Sequence, residues 1–519
     1  MPILQSQIQG EEFAKREAQN VRSVARGSGP QEKREEALRG ERERLARCLP
    51  VRKPQSLPAT RQPGKMKSMK IKTISRSEED YSRKSTMDIT KVHRNRDPAL
   101  HPFERAREYT KALVATKLDK MFAKPFVASL DGHTDGVYCC STVRNKNVAF
   151  ISGACDGELK VWDLARRKCF WTAAAHSGFV RGIAPDAQGA TFFTCGDDKL
   201  VKQWALRDPS AGGEDGGANR VEPINTIIAP HSLTSVDHHW TDAQFATSGD
   251  AVCLWDSSRA DPLHTYKWGC DSVMSVKFNP AESCLLAATG SDRSVTLYDL
   301  RAAVPMRKFV LAMRSNKVVW NPMEPFNFLL ANEDHHIYSF DMRKTDKALM
   351  VHKDHVAAVM DVAFSPTGRE FVSGGYDRSL RLFKTNEGRS RDMYHTKRMQ
   401  RIFCVNYSAD SQYVLSGSDD TNVRIWKADA SATLGVQKAR LDRREQERDA
   451  LKRRFAHMPE IKRIKHDVKV PKSIKKAAAL NHEQKMSERR KQDNRKRHSR
   501  EGEEAVEPER KRAIIAHIK

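Results

Sequence analysis

The chain has 519 residues, 7% of them aromatic and 30% charged, and its 91 Lys and Arg against 66 Asp and Glu give a formal net charge of +25. Such length allows several domains, and such an excess of positive charge favours a polyanionic partner: nucleic acid, an anionic membrane or an acidic protein face. No run of about 18 apolar residues occurs and the N-terminus lacks an apolar targeting core, so we expect a protein that is neither secreted nor membrane-spanning.

The ten cysteines form no CxxC pair, and most, such as Cys155, Cys195 and Cys404, lie in apolar strand-like runs. Buried free thiols in a reducing compartment are the expectation.

Read in chain order, residues 1–68 are rich in Arg and Glu and are expected to form a disordered extension. The glycine-rich RGSGP at 26–30 follows no strand, so it does not read as a phosphate loop. Residues 69–124 form a basic N-terminal arm, and 1–124 together hold 29 basic and 16 acidic side chains. Residues 125–426 hold 34 and 35, whereas 427–519 hold 28 and 15. The positive charge therefore sits in two flanks around a neutral body, a partition that suits a folded platform with basic arms.

The neutral body repeats itself. Seven segments read SGACDGELKVW, TCGDDKLVKQW, TSGDAVCLW, AATGSDRSVTLY, LANEDHHIYSF, SGGYDRSLRLF and SGSDDTNVRIW. They close on Trp162, Trp204, Trp255, Tyr298, Phe340, Phe383 and Trp426, at intervals of 42, 51, 43, 42, 43 and 43 residues. Alternating apolar residues at that period mean four short strands per unit, the blade of an all-β seven-bladed propeller over 125–426. The long interval holds PSAGGEDGGANR (209–220), expected to be a flexible surface loop.

These segments resemble WD repeats, and the resemblance implies a buried polar network of His, Ser or Thr, Asp and Trp. In the first repeat the matching residues are His133, Ser152, Asp156 and Trp162; in the second, His176, Thr194, Asp198 and Trp204. The sixth is expected to use His352, Ser373 and Asp377, and the seventh Ser416, Asp420 and Trp426. Buried polar groups must be paired, so such residue types come as a set. The third repeat is shortened at its turn, and the fourth and fifth lack the hydroxyl, so their blades should rest more on apolar packing. In WD repeats the strand before the first Gly-His completes the last blade; here that strand is PFVASL (125–130).

Beyond the repeats, ARLDRREQERDALKRRF is strongly helix-forming with a thin apolar stripe of Leu441, Leu451 and Phe455. After Pro471 the cations Lys472, Lys475, Lys476, Arg489, Arg490, Lys491, Arg495, Lys496 and Arg497 accumulate, while 456–519 contains no aromatic residue of the Phe, Tyr or Trp type. Such a run is either a solvated helix face or a sequence-independent phosphate contact, and base stacking is not expected. RRKQDNRKR (489–497) also fits a nuclear import signal.

Together with MKIKTISRSEEDY (69–81), RNRDPALHPFERAREYTKALVATKLDKMFAKPF (94–126) and the tail at 435–477, the chain is similar to the family of WD-repeat and SOF domain-containing proteins, also classed as cullin-RING ligase associated factors. The resemblance covers roughly 69–519, with Met69 at the usual family start. It implies a propeller with basic, partly helical N- and C-terminal extensions, the latter a SOF-like tail over 427–519. It also implies a nuclear and nucleolar scaffold in the small-subunit processome, working on pre-ribosomal RNA with a box C/D small nucleolar ribonucleoprotein and other processome proteins. The alternative function is a substrate receptor of a cullin-RING ubiquitin ligase; a third reading is a chromatin or histone reader.

Two tetrapeptides bear on the alternative. Tyr298-Asp299-Leu300-Arg301 and Phe340-Asp341-Met342-Arg343 resemble the box by which propellers dock on the ligase adaptor, through Asp299, Arg301, Asp341 and Arg343. The same tetrapeptides also serve as plain blade turns. For catalysis the sequence offers little: His238-His239 and His335-His336 are adjacent pairs whose members point to opposite faces of a strand. There is no Walker A loop, GxSxG or HExxH. We expect no enzyme activity, no metal or cofactor and no membrane partner.

Overall fold

A computed structural model describes residues 103–206, 222–268, 271–302, 304–500 and 508–518, which fall in one compact unit. The expected disordered extension at 1–68, most of the basic arm and the insertion at 209–220 lie outside the described residues.

Each repeat folds as predicted into an antiparallel sheet of four strands, with the four strands in chain order in blades one to six. Blade one runs from Val137 to Ala174, blade two from Val180 to Ile228, blade three from Ser235 to Tyr266, blade four from Val273 to Leu311. Blade five runs from Ser315 to His352, blade six from Val359 to Tyr394, and blade seven from Ile402 to Lys427. Blade seven supplies only three strands of its own. The fourth is Phe126–Leu130, paired antiparallel with Val423–Lys427 in a register that sets Phe126 against Trp426 and Leu130 against Val423. The first strand of the ring is thus the outer strand of its last blade, which leaves no open edge where the ring closes.

The residues that close the repeats form the core between blades. Trp162, Trp204, Trp255, Trp426, Tyr298, Phe340 and Phe383 are all buried. Blades four and five, which lack the hydroxyl, share a dry cluster that includes Val295, Leu297, Phe309, Leu311, Trp320, Phe328 and Phe340. Apolar packing carries these blades, as their sequence implied.

In blades one, two, four, five and six the turn between the second and third strand follows one rule. The repeat Asp side chain accepts the backbone N–H two residues on: Glu158 from Asp156, Leu200 from Asp198, Ser294 from Asp292, His336 from Asp334 and Ser379 from Asp377, at 2.9–3.2 Å. The residue between is left-handed, with φ of 87° at Gly157, 63° at Lys199 and 60° at Arg378. Only at Gly157 is glycine demanded by space as well, because an added Cβ would lie 2.0 Å from the His176 carbonyl oxygen.

Among the described residues, five helices and one further strand flank the ring: α1 (Glu104–Phe122), α2 (Ala439–Arg454), α3 (Pro459–His466), α4 (Lys472–His498) and α5 (Glu509–Arg512), then Ile514–Ile518. The tail was expected to be basic and helical; its last strand was not foreseen. It pairs antiparallel with Pro305–Leu311, making blade four a sheet of five strands.

Candidate nucleic-acid and partner interfaces

The polar network is built in full only in blade two. There the His176 ring lies 2.9 Å from the Asp198 carboxylate through Nδ1 and 3.0 Å from Thr194 Oγ1 through Nε2, and Trp204 Nε1 donates to the same hydroxyl at 3.0 Å. In blade one Trp162 Nε1 donates to Ser152 at 2.8 Å and His133 Nε2 reaches Ser152 at 2.6 Å. Asp156, however, is turned to the Thr134 hydroxyl and not to the imidazole. Burial, then the nearby Lys160 charge, lowers the His133 pKa to about 4.

In blade six the expectation of His352 is overturned. His355 holds Asp377 at 2.9 Å and Ser373 at 2.7 Å. His352 instead bonds the Glu387 carbonyl at 2.8 Å and packs its ring against Phe371. It closes the outer strand, three residues too early to reach the turn. In blade seven Trp426 Nε1 donates to Ser416 at 2.9 Å, but Asp420 takes Arg424 as its partner in place of an imidazole. Blade three keeps the indole bond in a form the spacing missed: Trp255 donates to Thr247 at 2.8 Å, eight residues upstream, because its turn is shorter. These groups fix the scaffold, with the hydroxyls, imidazoles and indoles buried.

The histidine pairs are structural too. His238 bonds the His239 carbonyl at 2.7 Å, while His239 Nε2 reaches the Ser283 carbonyl at 2.9 Å and its Nδ1 accepts the Asp242 N–H. Among the described residues no group of three His, Cys, Asp or Glu is placed to hold a metal ion.

The described part of the N-terminal flank is not separate from the tail. Helix α1, from the N-terminal side, packs on α2 and α3 of the tail. Tyr109 donates to Glu460 at 2.8 Å, Arg454 pairs with Glu108 at 2.8 Å and Lys452 with Asp119, and the Tyr109 and Phe455 rings meet edge to face. A cavity of about 480 Å³ between α1 and α2 is lined by Val114, Leu118 and Leu451 and rimmed by Lys111, Arg444 and Arg448. Lys120 ties this module to blade six through Asp392 at 2.9 Å.

From there the tail crosses to the face that carries the aspartate turns. On α4, Asn481 donates to the Val356 carbonyl at 3.4 Å, and Lys485 Nζ lies 3.0 Å from His336 Nε2. Burial first, and Lys485 second, lower the His336 pKa to about 3, so its ring stays neutral and accepts. Lys353 then pairs with Glu509, the Ala348 N–H bonds the Arg510 carbonyl, and Ala513 is buried in the cluster between blades four and five.

Held to the ring at Asn481 and Lys485, α4 turns its charge outward. Lys472, Lys475, Lys476, Arg489, Arg490, Lys491, Arg495, Lys496 and Arg497 are all exposed. Among the described residues none of the nine has a carboxylate partner. The import-like run occupies the last turns of the helix.

The two adaptor-like boxes lie at the far ends of the third strands, on the face opposite α4, in adjacent blades. They are not equivalent. Arg343 is locked onto Asp341 through Nε and Nη2, both at 3.1 Å, with its guanidinium 4.4 Å over the Phe326 ring. Asp299 accepts only the backbone N–H of Arg301, whose side chain reaches Cys284 Sγ at 3.0 Å. Both arginines are exposed.

A closed seven-bladed ring with aromatic-closed blades, presenting turns on one face and loops on the other, is a WD-repeat scaffold bound by its own C-terminal domain. Comparison agrees: the WD domain, G-beta repeat, matches 124–163, 167–205, 260–299, 346–384 and 393–427, and the Sof1-like domain matches 428–514. The chain is 49% identical to DDB1- and CUL4-associated factor 13 of Xenopus tropicalis over 452 residues, 87% of this chain and all of that protein. It is 49% identical to the Homo sapiens protein of the same name over 451 residues, with the same two shares, and 45% identical to Protein SOF1 of Saccharomyces cerevisiae over 446, covering 83% and 91%. It belongs to the family of WD-repeat proteins that carry a Sof1-like domain.

Proposed function

We propose that this protein is a non-catalytic scaffold in nucleolar assembly of the small ribosomal subunit, and that it holds pre-ribosomal RNA on the outer face of α4. The observation that carries the reading is the set of nine exposed cations without carboxylate partners on one helix anchored to the ring by Asn481 and Lys485. A rigid support spares the ordering entropy that a free basic tail would lose on binding, so each phosphate contact contributes more. The absence of Phe, Tyr and Trp from 456–519 makes the contact one of charge and not of base stacking. The neutral ring then displays its faces to small nucleolar ribonucleoprotein and processome proteins.

The test replaces the nine cations with Gln, keeping the helix and its anchors. RNA crosslinking in cells, mapped by nucleotide, should find pre-ribosomal RNA with the parent chain and lose it with the variant. In vitro the salt dependence should flatten by about 0.7–0.9 in log–log slope for each phosphate contact removed. Unchanged crosslinks would remove α4 from the interface. Nucleolar retention should fall as well, read with a foreign import signal attached because 489–497 is altered.

A second reading, docking on a cullin-RING ligase adaptor, draws on the exposed Arg301 and Arg343 on the face that α4 leaves open, and on the relatives named as associated factors. Both roles fit one molecule, since they use opposite faces.

A further inference from the structure

The mouth of the central channel, on the face of the aspartate turns, carries an arc of aromatic rings that neither role above uses. Tyr138 lies 6.3 Å from Phe179 and 5.9 Å from Phe403, and Phe403 lies 6.3 Å from Tyr376. The arc runs across blades two, one, seven and six, and Phe179 and Tyr376 are 39% and 40% exposed.

Blade two shows what this arc can hold. Arg181, second residue of the inner strand, sets its guanidinium 5.0 Å from the Tyr138 ring and 4.9 Å from that of Phe179. Asp197, first of the two turn aspartates, grips it with two bonds of 2.7 and 2.9 Å. Ring faces and a bidentate carboxylate together form a guanidinium site, here filled from within.

Blade seven repeats the arrangement with one part missing. Its strand IFCVNY aligns with VRGIAP, and its SGSDD turn with TCGDD. Asp419 therefore stands where Asp197 stands, but the position of Arg181 is Phe403. Among the described residues the Asp419 carboxylate has no ion-pair partner, and it is exposed. It abuts Gly136, within 3.3 Å of where a Cβ would lie, and so neighbours the exposed Asp135, whose carboxylate caps only the Gly136 N–H. Arg401 turns away from both, its guanidinium 5.1 Å over the Tyr376 ring.

We propose that the junction of blades seven and one binds a peptide segment of a partner protein through one arginine side chain. The guanidinium lies on Tyr138 and Phe403 and pairs with Asp419, assisted by Asp135, as Arg181 does with Asp197 one blade away. Two unpaired carboxylates favour a cation over a polynucleotide, whose phosphates they would repel. Lysine would fill the site less well, because a carboxylate beside a ring face rewards a planar fork.

The experiment titrates the full chain with a Gly-Ser nonapeptide bearing one central arginine, by isothermal calorimetry. Matched peptides carry citrulline or lysine, and a twelve-residue oligouridylate is run alongside. Saturable binding of the arginine peptide, at least tenfold weaker for the lysine peptide and lost with citrulline, is expected. Asp419→Asn and Phe403→Ala should each abolish it, while the thermal midpoint of Asp419→Asn stays that of the parent, since the replaced group is exposed. Arginine binding that survives Asp419→Asn, or no binding by the parent chain, would overturn the proposal. So would oligouridylate binding that Phe403→Ala removes, which would make the arc an RNA site.

Discussion

Asp377 should be the most costly turn aspartate to remove. Its side chain is 3% exposed, and it holds the His355 ring at 2.9 Å, the Ser379 N–H at 3.1 Å and the Ser379 hydroxyl at 2.8 Å. Burial opposes its charge, yet His355 and Arg381 outweigh that and lower its pKa to about 2. Asp377→Ala strands a buried imidazole N–H, a buried hydroxyl and a turn amide together, which should cost about 3 kcal/mol. Asp156→Ala removes only the Glu158 N–H bond and the Thr134 contact at a more open turn, for about 1 kcal/mol. Because the Asp377 pKa in the folded state lies below the unfolded value, its contribution is fully present above about pH 4 and is lost only as pH falls from there towards 2. Urea midpoints of both variants, taken between pH 5 and 8, should show a constant gap in that order. Equal losses, or an Asp377→Ala protein as stable as its parent, would refute this account of the turns.

Starting the chain at Gly132 removes the strand that pairs with Val423–Lys427, and the product should be poorly soluble, as judged by recovery after sedimentation. Arg301→Ala with Arg343→Ala should weaken capture of the ligase adaptor in co-purification and leave the fold intact, Arg301 costing more because Arg343 is already committed to Asp341. Burial lowers the pKa of His133 and His352 to about 4, below the unfolded value near 6.5. The unfolded chain therefore binds these protons first, and the thermal midpoint should fall as pH drops from about 6.5 towards 4; His352→Gln should make that slope shallower. Deleting 508–519 uncovers the outer strand of blade four and removes Ala513 from a core cluster, so protease sensitivity at 305–311 should rise several-fold.

The ring was legible because its signal is local and repeated. An aromatic closes each unit, and an Asp stands six residues before it in six of the seven. The network was legible by residue type and less so by partner. His355 lies 18 residues before Ser373, as His176 does before Thr194, while His352 lies 21 before; that spacing would have found the right ring. Thr247 was hidden because a shorter turn moved the hydroxyl two residues closer to its indole. Nothing local marks Asp156 as turned to Thr134, since either partner satisfies a carboxylate. The strand Ile514–Ile518 was beyond reach for another reason: six residues, AIIAHI, beside a basic run say little, and the partner strand lies about two hundred residues upstream. The cations of α4 were all readable, but that the helix is pinned across a face depends on Asn481 and Lys485, which look like any polar helix residues.

The direction of that last strand matters at the bench. Ile514 pairs with Leu311 and Ile518 with Lys308, so the chain descends blade four towards the end where Tyr298-Asp299-Leu300-Arg301 lies. A reporter or affinity handle fused beyond Ile518 would hang beside Arg301, in the path of anything approaching that box. Capture of the ligase adaptor through such a handle would then report the handle as much as the protein, and a negative result would carry little weight. The first strand, Phe126–Leu130, joins the ring on blade seven, three blades from Arg301.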